Sequence, residues 1–207
     1  MASKDKATVT IIPDVESWAK AAASNLCNVA EKVAVAPAPK VLGEERLRFS
    51  VLRETAETSI ARLTAKEGID RDRCLYVITL DDAVDPEALK SAFCDAKKRD
   101  DLKLPQDNQL ISDVLYVGSS CATKNRKRTL RSRLRQHLIR SDKGTYALSL
   151  AEWTSKLSGG IIVKGWQYPY IGEGPEGEVS GRKIVLAVED WLAAETRPMF
   201  GRRGSRN

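Results

Sequence analysis

Two tyrosines stand in short apolar runs of the kind that form buried strands. Tyr76 lies in CLYVITL (residues 74–80), and Tyr116 lies in VLYV (114–117), just before Gly118. If these runs are neighbouring strands, two phenol hydroxyls can meet at one place on the sheet. The alternative is that both are core residues whose hydroxyls find a partner inside the protein.

A basic segment follows the second run and contains the only histidine of the chain, His137. Leucines at 130, 134 and 138 predict a helix with one buried stripe. Arg133 and His137 are also four residues apart and lie about 100° from that stripe, at the border between core and solvent. An arginine there could bind a phosphate through two hydrogen bonds, and an imidazole could donate a hydrogen bond or move a proton. The alternative is an exposed basic face with an incidental histidine.

Glu189 is a carboxylate on an apolar helix face. Its neighbours three and four residues away are valine, leucine, leucine and alanine, and acids are seldom buried unless they are paired or bind a metal. One interpretation is a buried salt bridge with Arg133. The other is a single ligand to a hard cation, because Mg²⁺ uses one or two protein carboxylates and completes its shell with water and phosphate.

The positive charge of the chain is concentrated in two segments. The 207 residues carry 34 Lys and Arg against 28 Asp and Glu, a formal charge of +6. Eight cations and no acid lie within 123–140, and four more follow residue 196, so the rest of the chain carries −6. This distribution favours a surface that binds nucleic-acid phosphates with an affinity that falls as salt rises. The alternative is a solvated helix face and a basic tail. The residues expected to contact nucleic acid are Gly118, Lys124, Arg126, Lys127, Arg128, Arg131, Arg135, Arg202 and Arg203.

Composition excludes several classes of protein. With 42% hydrophobic and 30% charged residues, the chain has the composition of a globular protein rather than a disordered one. Its four cysteines form no CxxC pair and there is one histidine, so a structural zinc site is not expected. No apolar run approaches the roughly 18 residues of a membrane helix. We therefore expect a soluble, cytoplasmic protein that does not engage a membrane.

Helical and strand periodicities alternate along the chain. Helices are predicted at 14–34, 43–66, 85–98, 130–140, 146–157 and 184–195, and strands at 74–80, 114–117 and 161–166. The glycine-rich segment 172–181 is predicted to be a mobile loop. This order predicts an α+β fold, with a small three-stranded mixed or antiparallel sheet flanked by helices.

Two parts of the chain differ in character. Residues 1–70 are expected to form a helical N-terminal extension, for which packing or a homodimer contact is the default interpretation. Residues 71–207 carry the chemical candidates, with a helix inserted at about 85–100 between the two tyrosine strands.

In type and order, these residues resemble the signature of the GIY-YIG nucleases. CLY at 74–76 resembles GIY, and YVG at 116–118 resembles YIG. Arg133 and His137 resemble the arginine and histidine of the following helix, and Glu189 resembles the family's later glutamate. The resemblance extends over about residues 73–201.

The resemblance implies hydrolysis of phosphodiester bonds by a divalent-metal-dependent DNA endonuclease of restriction or phage-defence type. Glu189 would hold one Mg²⁺ or Mn²⁺, Arg133 would stabilise charge on the phosphate, and His137 would assist by hydrogen bonding. Either Tyr76 or Tyr116 would accept the proton of the attacking water. Double-stranded DNA is the expected substrate.

Two departures from the signature favour other interpretations. Cys74 stands in place of the first glycine, and Gly201 stands three residues after Pro198, where the family often has an asparagine. Both favour a catalytically inactive nucleic-acid-binding or interaction module on the same fold. An RNA-directed nuclease is the third alternative.

Overall fold

Four strands and four helices make up the part of the chain that the computed structural model describes, residues 38–65, 73–121, 129–141, 144–168 and 175–201, with side chains of 175–183 excluded. In chain order they are β1 (Lys40–Arg48), α1 (Leu52–Thr64), β2 (Arg73–Leu80), α2 (Pro86–Ala96), β3 (Val114–Cys121), α3 (Leu130–Leu138), β4 (Gly160–Gln167) and α4 (Pro175–Thr196). The α+β class is as predicted. None of the helices in these residues is long and apolar enough to cross a membrane.

The sheet is fully antiparallel, with the strand order β1-β4-β2-β3. The prediction of three strands is therefore wrong, because β1 adds a fourth. The run CLYVITL forms the interior strand β2, and its apolar residues face packed layers on both sides of the sheet. This two-sided burial is why the run does not alternate between apolar and polar residues.

The fourth strand lies where a helix was predicted. Residues 43–66 have apolar side chains at helical spacing, but only Leu52–Thr64 is helical. The segment Lys40–Arg48 instead pairs with β4, with an irregularity between Val41 and Gly43. This pairing satisfies backbone groups that would otherwise make β4 an edge strand. The helix predicted at 14–34 lies outside the described residues.

The two faces of the sheet carry different helices. The larger core lies on the first face, where Tyr76 and Ile78 pack with Ile60 of α1 and Leu134 of α3. On the second face, α4 packs through Ala193 and its neighbours against residues of β2 and β3. Side chains that alternate along β2 and β3 therefore enter two separate layers.

The inserted helix α2 between β2 and β3 confirms the prediction for 85–98. The Asp85 side chain accepts a hydrogen bond from the Glu87 N–H at 3.0 Å, and Pro86 occupies the first turn. Phe93 of α2 stacks on Phe200, with ring centroids 3.8 Å apart. The insertion thus packs on the segment that follows α4.

Two further predictions are wrong. Residues 146–157 contain only a short 3₁₀ turn at Leu150–Glu152, because nearby backbone N–H groups bond to distant partners: that of Ala147 to the Lys103 carbonyl and that of Leu148 to His137 Nδ1. Residues from Pro175 onward, predicted as a loop, are already helical. Proline suits the first turn of a helix, and each interior glycine costs only about 1 kcal/mol.

Candidate functional site

Tyr76 lies in the middle of the interior strand and is fully buried. Its partners across the sheet are both glycines, Gly118 in β3 and Gly165 in β4. A Cβ atom at 118 would lie 2.5 Å from Tyr76 Oη and 2.7 Å from Tyr116 Cε1. Residue 118 must therefore be glycine because the two tyrosine rings occupy the space that a side chain would fill.

His137 is fully buried and lies against the Tyr76 hydroxyl, with Nε2 3.0 Å from Oη. Its other nitrogen, Nδ1, accepts a hydrogen bond from the backbone N–H of Leu148 at 3.3 Å. Neutral imidazole carries one ring proton, so this contact favours the tautomer with the proton on Nε2, in which His137 donates to the Tyr76 oxygen. The Arg133 guanidinium, which can only donate, lies 3.1 Å from the same Nε2 and favours the opposite tautomer.

Arg133 places a positive charge beside the same pair. Its Nη2 lies 3.1 Å from His137 Nε2, and its charge acts on Tyr76. Its Nη1 donates to Gln136 Oε1 at 2.6 Å, which fixes the plane of the guanidinium. Arg133 and His137 are more buried than their predicted border position, because this side of α3 is covered by β3 and by the segment around Leu148.

Tyr116 forms the more exposed side of the cluster. Its ring stacks on Tyr76 with centroids 6.3 Å apart, and its centroid is 4.2 Å from that of His137. Gly201 lies against the ring, where a Cβ atom would be 2.6 Å from Tyr116 Cε2, and it has a φ of +92°. The space expected for an asparagine side chain at 201 is thus occupied by Tyr116.

Glu189 lies on α4, which packs on the second face of the sheet, and is only 8% exposed. The Ser119 hydroxyl donates to Glu189 Oε2 at 2.5 Å. The charge of Glu189 acts on Tyr76 and Arg133 and adds to the rise in the pKa of each. Tyr76, Tyr116, Arg133 and His137 therefore form one cluster, and the charge of Glu189 acts on that cluster from α4.

Burial and charge act on these groups in different directions. Burial raises the pKa of Tyr76 well above 10, although the Arg133 charge opposes this rise. Burial, reinforced by the Arg133 charge, lowers the pKa of His137 well below 6.5. Burial also lowers the pKa of Arg133, but the two tyrosines and Glu189 outweigh it and raise that pKa overall. At neutral pH the cluster contains a neutral phenol, a neutral imidazole and a guanidinium cation.

The donor set around Glu189 fits a lightly coordinated hard cation. Within the described residues, no group of three or more His, Cys, Asp or Glu side chains is placed to hold a metal ion. Mg²⁺ and Mn²⁺ accept such a site because water and substrate phosphate can complete their shells. A single buried carboxylate that accepts a hydrogen bond from Ser119 is compatible with that chemistry.

The residues expected to contact nucleic acid are only partly described. Arg131 and Arg135 are exposed on α3, where they ion-pair with Glu57 of α1 at 3.8 and 2.5 Å. Gly118 leaves free the space that the rings of Tyr76 and Tyr116 occupy. The remaining candidates, Lys124, Arg126, Lys127, Arg128, Arg202 and Arg203, lie outside the described residues.

A separate apolar groove of about 430 Å³ lies on the second face of the sheet. Leu75, Trp166 and Leu192 are among its lining residues, and Lys164 at its border ion-pairs with Glu44 at 2.9 Å. Because its walls are mainly apolar and contain none of the five candidates, the groove is not the site of the proposed chemistry.

No protein-family profile, curated protein or solved structure matches the chain. The GIY-YIG resemblance therefore stays a prediction from the sequence motifs.

The fold also brings in three groups that the sequence did not indicate: Ser119, Gln136 and the Leu148 amide. Gln136 stands one helical turn after Arg133, a spacing that could have suggested the pairing. Ser119 directly follows YVG and could have been noted for that reason. The Leu148 amide has no sequence signal, since any residue other than proline supplies an N–H group.

Proposed function

We propose that the protein is a divalent-metal-dependent DNA endonuclease that hydrolyses phosphodiester bonds. One observation carries the proposal: His137 Nε2 lies 3.0 Å from the Tyr76 oxygen and 3.1 Å from Arg133 Nη2, so an imidazole and a guanidinium cation meet at this phenol. Burial raises the pKa of Tyr76, and the Arg133 charge opposes that rise and so favours a phenolate. The nearby Glu189 carboxylate, whose charge acts on the same tyrosine, supplies the cation ligand that the chemistry requires.

Arg133 is the group that would stabilise the reacting phosphate. Its guanidinium is held by Gln136 and is largely withdrawn from water. Preorganised charge in such a place stabilises the additional negative charge of a pentacovalent phosphorus without reorganisation. Removing one such donor typically lowers the rate by about 100-fold or more.

Tyr76 is the proposed proton acceptor. The water oxygen attacks phosphorus while a water proton passes to the Tyr76 phenolate oxygen, and the bond from phosphorus to the leaving oxygen breaks. The leaving oxygen then takes a proton from solvent. His137 remains neutral and holds the phenolate through its Nε2–H, because its Nδ1 is occupied by the Leu148 amide.

Glu189 would hold the Mg²⁺ or Mn²⁺, which supplies positive charge at the phosphate and the leaving oxygen. The free carboxylate raises the pKa of Tyr76. Neutralisation of Glu189 would remove this effect and so favour the phenolate. Cation binding and activation of the base are thereby coupled through one carboxylate.

The predicted basic surface accounts for DNA as substrate. The two cationic segments adjoin Arg133 and the end of α4 in the chain, and such segments bind backbone phosphates without regard to sequence. Double-stranded DNA, a cytoplasmic location and a homodimer stay predictions.

One observation favours the second candidate, a catalytically inactive nucleic-acid-binding module. Tyr76 is fully buried, and that burial raises its pKa. A base that no water can reach and that keeps its proton would not act. The two candidates differ in cleavage but not in binding.

Plasmid cleavage tests the proposal. Supercoiled plasmid and labelled RNA are incubated with the protein in Mg²⁺, Mn²⁺ or EDTA. We expect metal-dependent nicking or linearisation by wild type and a loss of about 100-fold or more in Glu189→Gln and Tyr76→Phe. Glu195→Gln, the same change at an exposed position of α4, is the control and should retain full activity.

Three results would count against the proposal. Intact plasmid in every metal rules out the DNA endonuclease, and salt-sensitive DNA binding in that same preparation supports the inactive module. Cleavage of RNA alone supports the RNA-directed alternative. Equal activity of wild type and Glu189→Gln removes the assigned metal ligand.

A further inference from the structure

We infer that Ser119 is a positioning residue for Glu189, whose hydroxyl orients the carboxylate for a divalent cation. The inference deepens the proposed function and rests on it for the role of Glu189. Its basis is the 2.5 Å hydrogen bond from Ser119 Oγ to Glu189 Oε2, within a contact between β3 and α4. This bond has the length of a charge-assisted O–H···O⁻ interaction, which is about twice as strong as a neutral one.

The register of β3 explains why a serine stands at this place. Successive side chains of a strand point to opposite faces. Gly118 leaves room on the first face for the Tyr76 ring, and Ser119 reaches Glu189 of α4. Adjacent residues of β3 thus contact the tyrosine on one face and the carboxylate on the other, so β3 connects the two halves of the site.

The hydroxyl also limits the freedom of a long side chain. A glutamate has three rotatable bonds, and ordering it costs rotamer entropy. A hydrogen bond made before the cation arrives reduces the ordering that binding requires. Partners that orient metal ligands in this way typically affect metal affinity by about 10- to 100-fold.

The chain supplies a matched control in the next residue. Ser120 is 1% exposed, and its Oγ has no hydrogen-bond partner within the described residues. Ser119→Ala and Ser120→Ala remove the same atom from neighbouring positions of one strand. Only the first removes a hydrogen bond to Glu189.

The test measures the binding of Mn²⁺, with no other ligand, to the full chain. Electron paramagnetic resonance reports the concentration of free Mn²⁺ during the titration. We expect Ser119→Ala to raise the Mn²⁺ dissociation constant about 10-fold or more and Glu189→Gln to abolish binding. Ser120→Ala should bind as wild type does. Ser119→Thr keeps the hydroxyl and should stay within about 3-fold of wild type. Thermal unfolding verifies that each variant is folded.

The possible results separate this inference from the nuclease proposal. Equal Mn²⁺ affinity of wild type and Ser119→Ala overturns the inference, even where wild type cleaves DNA. Weakened binding in Ser119→Ala but not in Ser119→Thr supports it, even where wild type leaves plasmid intact. An absence of Mn²⁺ binding by wild type overturns the inference, while the nuclease proposal is decided separately by metal-dependent cleavage of plasmid, because substrate phosphate can complete the metal site. In an active protein, Ser119→Ala should also raise the Mn²⁺ concentration for half-maximal cleavage by the same factor.

Discussion

Gly118→Ala is expected to disrupt the tyrosine pair, because residue 118 faces both rings. The added Cβ would lie 2.5 Å from Tyr76 Oη, 2.6 Å from Tyr76 Cζ and 2.7 Å from Tyr116 Cε1. Ordinary contacts between such atoms are about 3.5 Å or longer, so each distance is short by roughly 1 Å. Tyr76 is fully buried, and its ring can move only by displacing its neighbours.

The size of the effect follows from two losses. Overpacking a dense core by one methyl group costs about 1–3 kcal/mol. A shift of the Tyr76 ring also weakens the 3.0 Å hydrogen bond with His137, which contributes about 1 kcal/mol. We therefore expect the free energy of unfolding to fall by about 3 kcal/mol. For a chain of this length, that corresponds to a decrease in Tm of roughly 6–12 °C.

Gly165→Ala is the matched control, because Gly165 pairs with Tyr76 from the opposite neighbouring strand. A Cβ there would meet Leu42 at 3.5 Å and Leu130 at 3.8 Å, which are ordinary contacts. The variant should be neutral or more stable by up to about 1 kcal/mol, because alanine restricts the unfolded chain. Urea unfolding and plasmid cleavage of both variants are the assays.

One combination of unfolding and cleavage results would refute the packing argument for Gly118. If Gly118→Ala and Gly165→Ala unfold at the same urea concentration and Gly118→Ala retains wild-type cleavage, the tyrosine rings do not occupy the space next to residue 118. Reduced stability with unchanged cleavage would keep the packing argument and refute the role of the Tyr76 hydroxyl in hydrolysis.

Two more predictions concern pH and the departure at residue 201. Since the pKa of His137 lies well below 6.5 in the folded protein, only the unfolded state takes up its proton as pH falls below about 6.5. Stability should therefore be greatest above that pH and decline by up to about 1.4 kcal/mol per pH unit below it, a slope that urea unfolding of His137→Gln should lack. Gly201→Asn, which inserts the family's residue, should lower Tm and cleavage, because its Cβ would meet Tyr116 at 2.6 Å. Gly144 has a similar positive φ, but a Cβ atom there would have no other atom within 4 Å. Gly144→Asn should therefore lower Tm less than Gly201→Asn does.

The candidate residues are easier to find in the sequence than the sheet is. Tyr76 and Glu189 stand in apolar surroundings that conflict with their chemistry, and Arg133 stands four residues before His137. The strand at Lys40–Arg48 is not predicted because Leu47 and Val51 also fit a helical spacing. Only the pairing partner, β4, distinguishes the two structures for this segment.

The packing around Gly201 gives a different interpretation of this residue from the one that the sequence favours. In the sequence alone, Gly201 stands where the GIY-YIG signature often has an asparagine, and this difference favours an inactive protein. In the fold, its positive φ and its contact with the Tyr116 ring require glycine. The absence of the asparagine therefore has a steric cause that is independent of activity.

The amino-acid sequence by itself determined which residues could do chemistry, the α+β class and the interior strand at 74–80, because residue type and short-range periodicity are local properties. Only the tertiary structure decided that β1 completes the sheet, that the Leu148 amide contacts His137 Nδ1, and that Ser119 reaches Glu189. These contacts join residues 11 to more than 100 positions apart. Backbone amides and serine hydroxyls occur throughout a chain, so their roles arise from the partners that folding brings to them.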